Sequence, residues 1–460
     1  MKATLGEPKY YDGQLPSLAA LNIRDARLDK LISGLNYPWA FEIIDADTVI
    51  ITELSGKLSY GDLRSGQLTT IEGLPDIASN DNQMGLLDVA LHPKFSSNKH
   101  IYISYVATDT ATGQYQALTV SMGRLENNRL VGVKTIFQAQ PTWSPSNFGG
   151  AMAFDNAGYL YISVGDRSEP ETAQNLNHLQ GKILRLRDDG GIPKDNPFIQ
   201  DATADDRIYA YGVRNPQGLD FDHVNGLLYE SEHGPMGGDE VNIIRPGHNY
   251  GWPRITYGIS YTTEKIGQGT HQKNMQQPVF YYLPSEAVSP LAVYRGSMFS
   301  EWDGDVLLGM LKGKHISHLD IDDAVVRSEY PLLQAEINAR IRDIKIAVDG
   351  AVLILTQTGD LYRLHRQPQT QQAKTPRAEG QVIYDLVCAG CHDTGANNAP
   401  VLGNMDDWRE ILKQPVALTY DRSLKGYNDM PERGLCYLCQ DDDIKRAVDY
   451  MLDSAKDKQK

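Results

Sequence analysis

Two stretches, DTVIITELSGKLSYGDL (47–63) and GAVLILTQTGDLYRLH (350–365), decide the fold class of this chain. Each has an apolar β-branched run, a polar tight turn that contains glycine, and a second short strand. Similar units near both ends of a long segment indicate radial repetition with chain closure, as in a β-propeller. About 370 residues would make six blades of four strands each. One or two β-sandwiches remain the alternative from periodicity alone. Further strands are expected within 100–107, 158–167 and 226–234.

The bulk composition excludes several classes of function. The chain has 460 residues, 41% apolar and 22% charged, with a net charge of −15. An acidic chain lacks the basic field that nucleic-acid binding requires. No apolar run is long enough to span a bilayer, so no transmembrane segment is expected. The N-terminal stretch MKATLGEPKYYDGQLPS (1–17) lacks the apolar region of a signal peptide.

A polar segment divides the chain. Residues 367–381, QPQTQQAKTPRAEGQ, carry almost no apolar side chain, which predicts a linker. We therefore expect a propeller over 1–366 and a second domain over 382–460, which holds all four cysteines. In that domain, residues 380–392 and 441–457 have apolar positions at helical spacing, which predicts a small all-α domain.

The stretch Cys388-Ala-Gly-Cys391-His392 is the C-x-x-C-H signature of c-type haem attachment. One helical turn separates the two thiols, which suits two vinyl groups on one porphyrin edge, and the adjacent imidazole can reach the iron. A zinc site is the alternative, but it needs two further ligands at suitable spacing. A redox dithiol is the other, but such motifs accompany a βαβ pattern that is absent here.

The sixth ligand of the haem iron is expected to be Met430. It lies in the loop GYNDMPERG, 38 residues after His392. Methionine paired with histidine raises the potential of a haem, which suits an electron acceptor. Met405 and Met451 are the alternatives, and Met451 falls within the apolar pattern of the last helix.

Residues 382–457 resemble class I cytochromes c, more narrowly the c5-like group, through CAGCH, MPERGLCYLC (430–439) and the acidic start of the last helix. The resemblance implies a disulfide between Cys436 and Cys439, with two free thiols as the alternative. Covalent haem and a disulfide both belong to an oxidising compartment. The mature protein is therefore expected in a periplasm, with its signal peptide absent from this sequence.

The first domain resembles the soluble quinoprotein sugar dehydrogenases of the glucose/sorbosone and aldose sugar dehydrogenase family. That family has a six-bladed propeller, binds pyrroloquinoline quinone (PQQ) with calcium, and oxidises aldoses at the anomeric hydroxyl. The matching stretches are NQMGLLDVALHPKF (82–95), LQGKILRLRDDGGIPKDNPF (179–198), YGVRNPQGLDF (211–221), EHGPMGGDEVNII (232–244) and GHNYGWP (247–253).

The resemblance implies a cationic cofactor site. PQQ is a planar tricarboxylate with an ortho-quinone, for which arginine forks and a lysine are natural partners. A solvated surface charge is the alternative for each residue alone. The positions that match the family's PQQ contacts are Gln83, Arg214, Asn215, Gln217, Lys312, Arg340 and Arg342.

The same resemblance implies calcium sites, and calcium prefers hard oxygen ligands, including backbone carbonyls. Gly234 and Pro235 match the carbonyl ligands beside the cofactor. Glu240 and Tyr250 match positions that bind a further, structural calcium. The alternative is that HGPMGG is only a turn and Glu240 a surface carboxylate.

One position departs from the family. Its catalytic histidine, which takes the proton of the sugar hydroxyl, is replaced by Asn147 in PSNFGGAMAF (145–154). An amide has no usable basic site near neutral pH, so Asn147 can only hold a substrate oxygen. His178 and His233 lie nearby in sequence, and neither is a clear substitute.

Two functions are therefore expected of the whole chain. The first is a periplasmic PQQ-dependent dehydrogenase of an aldose or another alcohol that passes electrons to its own haem c and then to a downstream periplasmic or membrane acceptor. The alternative, motivated by Asn147, is a non-catalytic or altered-chemistry quinone- or carbohydrate-binding electron-relay protein.

Overall fold

The computed structural model describes residues 26–80, 83–108, 116–366, 380–381, 383–435, 439 and 441–457. The chain divides into two compact units, Met1–Gln367 and Pro368–Lys460. Of the expected linker, residues 367–379 lie outside the described residues, and residues 380 and 381 are already helical.

The first unit is a six-bladed β-propeller, which confirms the predicted fold class. Its strands form six separate four-stranded antiparallel sheets. The first strands of the six sheets neighbour one another in a closed ring, so each sheet is a blade and the first strand is its innermost. We number the blades in chain order.

Each blade is a meander from its innermost to its outermost strand. Blade one comprises Pro38–Ile43, Thr48–Glu53, Lys57–Asp62 and Leu68–Ile71, and blade two comprises Leu86–Leu91, His100–Thr108, Gln116–Glu126 and Arg129–Gln138. Blade three comprises Gly149–Phe154, Leu160–Val164, Lys182–Leu186 and Ile208–Tyr211, and blade four comprises Pro216–Asp222, Leu227–Glu232, Asp239–Ile244 and Phe280–Tyr282. Blade five comprises Val288–Val293, Val306–Met310, Ile316–Asp322 and Val325–Leu332, and blade six comprises Ile341–Ile346, Val352–Thr356, Leu361–Arg366 and Ala26–Ile32. Short helices occur at Phe95–Asn98, Pro170–Gln174, Ser300–Trp302 and Gln334–Ile337.

The ends of the propeller chain meet in blade six. The strand Ala26–Ile32 pairs antiparallel with Leu361–Arg366 as the outermost strand of that blade. The stretches 47–63 and 350–365 each contain the second and third strands of a blade, in blades one and six respectively. Their likeness therefore reflects equivalent positions in the two blades that close the ring.

Carboxylates on alternate blades tie neighbouring blades together at the channel. Asp88, Asp220 and Asp343 lie on the inner strands of blades two, four and six. Each accepts a backbone N–H from the inner strand of the next blade, at 2.7, 2.8 and 2.8 Å respectively. Lys345 on blade six pairs with Glu42 on blade one at 2.7 Å. The channel wall therefore carries one lysine among four carboxylates.

The second unit is helical, as expected. Its core contains Tyr384, Trp408, Val448, Met451 and Leu452. No helix in the described ranges is both long and apolar enough to cross a membrane. The helices are Tyr384–Cys388, which is π-helical, Ala389–His392, Ala396–Asn398, Met405–Trp408, Val416–Lys425, Glu432–Leu435 and Asp441–Asp457.

Candidate functional site

The residues expected to bind PQQ lie where the inner strands of the blades begin, or in the loops beside those ends. Gln83 and Asn147 precede the inner strands of blades two and three, and Arg214 precedes that of blade four. Arg340 precedes the inner strand of blade six, and Arg342 lies within it. The fold therefore gathers residues from four blades at one end of the propeller.

Arg342 is buried and has no carboxylate partner among the residues that the structure describes. Its side chain is 7% exposed, its guanidinium stacks on the Trp39 ring at 4.3 Å, and its Nε has no hydrogen-bond partner. Its Nη2 donates to Gln357 Oε1 at 2.8 Å and to Tyr37 at 3.4 Å. Burial, together with the neighbouring charge of Arg340, lowers the pKa of Arg342 to about 10. Such a group requires an anion to offset its charge.

Arg214 approaches the same region from blade four. Its guanidinium donates to the carbonyls of His233 and Gly234 at 2.8 and 3.2 Å. The pKa of His233 is lowered to about 4, chiefly by burial, and Arg214, Arg342 and Arg340 all add to the shift. All three guanidiniums therefore contribute to the electrostatic environment of His233.

The remaining residues expected to contact PQQ are held mainly by backbone and amide groups. Lys312 is exposed and donates to the carbonyl of Ser285 at 2.9 Å. Gln217 donates to Asn215 Oδ1 at 3.0 Å. Within the described residues, neither Lys312 nor the three arginines form an ion pair with a carboxylate, which leaves four charges for an anionic ligand.

Asn147 stands at the centre of a buried network. Its backbone, at a φ of 55°, donates to Gln83 Oε1 at 2.8 Å, and its Nδ2 donates to Asp166 Oδ1 at 2.9 Å. Trp252 Nε1 donates to the other oxygen of Asp166 at 2.8 Å. A Cβ on Gly165 would lie 2.1 Å from the Asn147 carbonyl, so only glycine permits this approach. The network positions residue 147 closely, although it supplies no base there.

The expected structural calcium position lies in a cluster of buried acids. Glu230, Glu232 and Glu240 lie on the two middle strands of blade four, where Glu232 faces Glu240 and Glu230 faces Asn242. Glu230 Oε1 and Asn242 Oδ1 have no hydrogen-bond partner. Burial, with repulsion from Glu232, raises the pKa values of Glu230 and Glu240 well above the ordinary range. Orphaned oxygens and unneutralised charge fit a hard cation.

Backbone carbonyls would have to complete any calcium site. No three His, Cys, Asp or Glu side chains in the described ranges are arranged to hold a metal ion. The Tyr250 hydroxyl is committed to the fold, since it donates to Ile243 and accepts from Arg245 N. Tyr250 therefore fits calcium only through its carbonyl, as Gly234 and Pro235 do beside the cofactor position.

The residues expected to attach haem lie on consecutive helical turns of the second unit. Cys388 ends the π-helical turn, and Cys391 and His392 lie in the next helix. Neither Cys388 nor Cys391 is in a disulfide. His392 is 7% exposed, and its Nδ1 lies 2.9 Å from the Pro400 carbonyl. Since a carbonyl only accepts, Nδ1 carries the proton and Nε2 is left to bind iron.

Met430 approaches this helix from the loop before the last helix. A Cβ added to Gly434 would lie 3.7 Å from Met430 Cε and 3.9 Å from a methyl group of Val387, the neighbour of Cys388. Met451 is 5% exposed in the core, as its helical position suggests. Cys439 is disulfide-bonded, and its expected partner Cys436 lies outside the described residues.

The comparison with known proteins matches the two units of the chain to two different families. Residues 35–363 match the family described as Glucose / Sorbosone dehydrogenase. The chain belongs to the glucose/sorbosone dehydrogenase family. Residues 375–451 match the family described as Cytochrome C oxidase, cbb3-type, subunit III, so this member carries a C-terminal cytochrome c domain. The resemblance seen in the sequence is confirmed for both parts.

The relatives match nearly the whole of the propeller unit. Aldose sugar dehydrogenase YliI of Escherichia coli strain K12 is 38% identical over 347 residues, which span 73% of this chain and 92% of the relative. A crystal structure of glucose dehydrogenase is 36% identical, with a TM-score of 0.71, and covers 75% of this chain and 100% of its own. The PQQ-bound form of Aldose Sugar Dehydrogenase from Streptomyces coelicolor, at 22% identity and a TM-score of 0.62, shares the fold over 74% of this chain and 98% of its own.

Four residues of this family member's site were not expected from its sequence. Asp166 accepts from Asn147 and from Trp252, Glu232 accepts the backbone N–H groups of Arg214 and Asn215, and Gln357 joins two arginines. Asp166 lies two residues after the end of the buried strand Leu160–Val164, and Gln357 lies in the tight turn TQTGD. A polar side chain at such a strand end was the available signal.

Proposed function

We propose that this protein is a PQQ-dependent dehydrogenase that oxidises an aldose sugar or another alcohol and passes the electrons to its own haem c. The observation that carries the proposal is the convergence of Arg214, Arg340 and Arg342 without carboxylate partners among the described residues. Three guanidiniums suit the three carboxylates of PQQ. The names of the E. coli relative and the PQQ-bound S. coelicolor enzyme support it.

When bound, the quinone supplies a two-electron acceptor for the substrate and the haem a one-electron acceptor. The chain's own residues orient the partners. Arg214, Arg340, Arg342 and Lys312 would bind the anionic ring, and the carbonyls of Gly234 and Pro235 would hold calcium. Asn147 would accept a hydrogen bond from the substrate hydroxyl and so orient it, but its amide would not take up the proton.

The compartment follows from the cysteines. Covalent haem attachment and a disulfide at Cys439 belong to an oxidising environment, so we place the protein in a periplasm. Electrons would leave the haem to a further periplasmic or membrane carrier. A net charge of −15 disfavours nucleic acid as a partner.

A second candidate is an electron-relay protein that holds quinone or carbohydrate without turnover. Asn147 favours it, because the position that should remove the substrate proton carries an amide. The two candidates share the cofactor site and differ only in whether substrate electrons enter it.

Reconstitution separates them. The full chain would be loaded with haem, calcium and PQQ, and a panel of aldoses and alcohols added while haem absorbance is followed. We expect haem reduction with at least one substrate, and none without PQQ or in Arg342→Ala. Bound quinone with no haem reduction by any substrate would support the relay. Failure of the wild type to bind quinone would remove the dehydrogenase and would leave the second candidate only as a carbohydrate-binding protein.

A further inference from the structure

One amide joins the two arginines of blade six. Gln357 Oε1 accepts from Arg340 Nε and from Arg342 Nη2, each at 2.8 Å. The backbone N–H of Gln357 also donates to the Arg340 carbonyl at 2.8 Å. Both lone pairs of the amide oxygen are therefore used, and the rotation of the side chain is fixed.

The tight turn between the second and third strands of blade six places this amide. Gly359 in that turn has a φ of 97°, and its N–H donates to the Thr356 carbonyl at 3.1 Å. Its carbonyl accepts from Leu35, so the turn is anchored to the chain that enters blade one. Gln357 is thus presented on a rigid support.

The electrostatic problem at this point is the approach of two like charges. Burial lowers the pKa of Arg340, and the Arg340 charge helps to lower that of Arg342. No carboxylate among the described residues pairs with either guanidinium. A neutral oxygen between them lessens the repulsion and leaves both positive charges available to an incoming anion.

We propose that Gln357 is a positioning residue of the cofactor site: its amide oxygen aligns Arg340 and Arg342 for a carboxylate ligand, and its neutrality preserves their charge for that ligand. This inference rests on the proposed function, since PQQ is the ligand. Gln357 acts through the arginines. A glutamate would occupy the same space, but it would neutralise one arginine from within and repel the cofactor.

The test measures PQQ affinity by titration of the calcium-loaded full chain in four proteins: wild type, Gln357→Ala, Gln357→Glu and Gln138→Glu. Gln138 is exposed on the outermost strand of blade two, so its variant carries the same added charge elsewhere. We expect Kd to rise about 10-fold in Gln357→Ala, as for loss of a hydrogen bond to a charged group. We expect a rise of about 100-fold in Gln357→Glu and less than about twofold in Gln138→Glu.

Two further readouts separate positioning from a merely structural role. Without quinone, Gln357→Glu should unfold at the same or a higher temperature than wild type, because its carboxylate offsets the buried charge of Arg342. Its affinity should also depend less on salt, because one positive charge is lost to the ligand. Stability and binding thus move in opposite directions.

Each outcome has a consequence. If Gln357→Glu binds PQQ as tightly as wild type, or if binding and stability fall together in both Gln357 variants, the assignment is overturned. If wild type binds PQQ and the Gln357 variants bind it equally well, the proposed function stands and only the role assigned to Gln357 is withdrawn. If wild type binds no PQQ, the proposed function fails and the assignment falls with it.

Discussion

Asn147 donates its side-chain Nδ2–H to Asp166 Oδ1 at 2.9 Å, and this bond determines which end of the amide can meet a substrate. A carboxylate only accepts, so the amino group must face Asp166. The Asn147 oxygen therefore points away from Asp166 and can accept from a substrate hydroxyl. The site is arranged to hold a hydroxyl but not to deprotonate it.

Replacing Asn147 by histidine should supply the missing base. An imidazole that donates to Asp166 from one nitrogen presents the other nitrogen as a proton acceptor. We expect aldose oxidation by the PQQ-loaded protein to rise by about 10²- to 10⁴-fold, the usual contribution of a positioned general base. The measurement is the steady-state rate of haem reduction. Asn147→Ala is the control, and an equal rise there would contradict the role of the imidazole.

Asp166 should contribute to the stability of the folded protein, apart from any role in the reaction. It accepts from Asn147, from Ser168 N at 2.9 Å and from Trp252 Nε1. Asp166→Asn places an N–H against one of these donors, and we expect the free energy of unfolding to fall by about 1.5–3 kcal/mol. Urea denaturation measures it. Asp201→Asn, on an exposed turn, is the comparison, and a loss as large there would refute the special role of Asp166.

Local pattern was enough to predict the architecture. Apolar β-branched runs and turn glycines in 47–63 and 350–365 predict pairs of strands, and those stretches are equivalent strand pairs in blades one and six. The last helix was expected over 441–457, and Asp441–Asp457 is observed. Both signals come from neighbours in sequence.

The sequence predicted site residues only where they belong to a recognisable motif. Tyr37 and Arg342 touch across 305 positions because the ring closes between blades one and six. Asp166 reaches Asn147 across 19 positions, and Gln357 reaches Arg340 across 17. These pairings depend on how strand ends meet at one end of the propeller. The sequence of any single stretch does not contain that information.

Lys345 should stabilise the channel in a manner that depends on pH. It pairs with Glu42 at 2.7 Å, and both side chains are about one-quarter exposed, at 27% and 23%. Burial raises the pKa of Asp88 to about 7 and that of Asp343 to about 6, and Lys345 opposes both shifts. At pH 8 these carboxylates are ionised, and Lys345→Met should cost about 2 kcal/mol, between values for exposed and buried pairs.

The cost of Lys345→Met should shrink as the solution becomes more acidic. The folded state binds protons at Asp88 and Asp343 more tightly than the unfolded chain does, so their contribution to stability rises as the pH falls through 7 and 6. At pH 5.5 we expect a cost below about 1 kcal/mol. Thermal unfolding at both pH values measures it, with the exposed Lys30→Met as control. A cost independent of pH would show that the channel carboxylates do not titrate as described.

Met430 should determine the potential of the haem. Its thioether lies on the side of Gly434 that also faces Val387, beside Cys388, and His392 presents Nε2 from the same helix. Loss of a methionine ligand lowers a haem potential, so Met430→Ala should lower the midpoint by on the order of 100 mV. Redox titration of the full chain measures this. Met405→Ala, at the start of another helix, should leave the midpoint unchanged, and the reverse pattern would transfer the ligand to Met405.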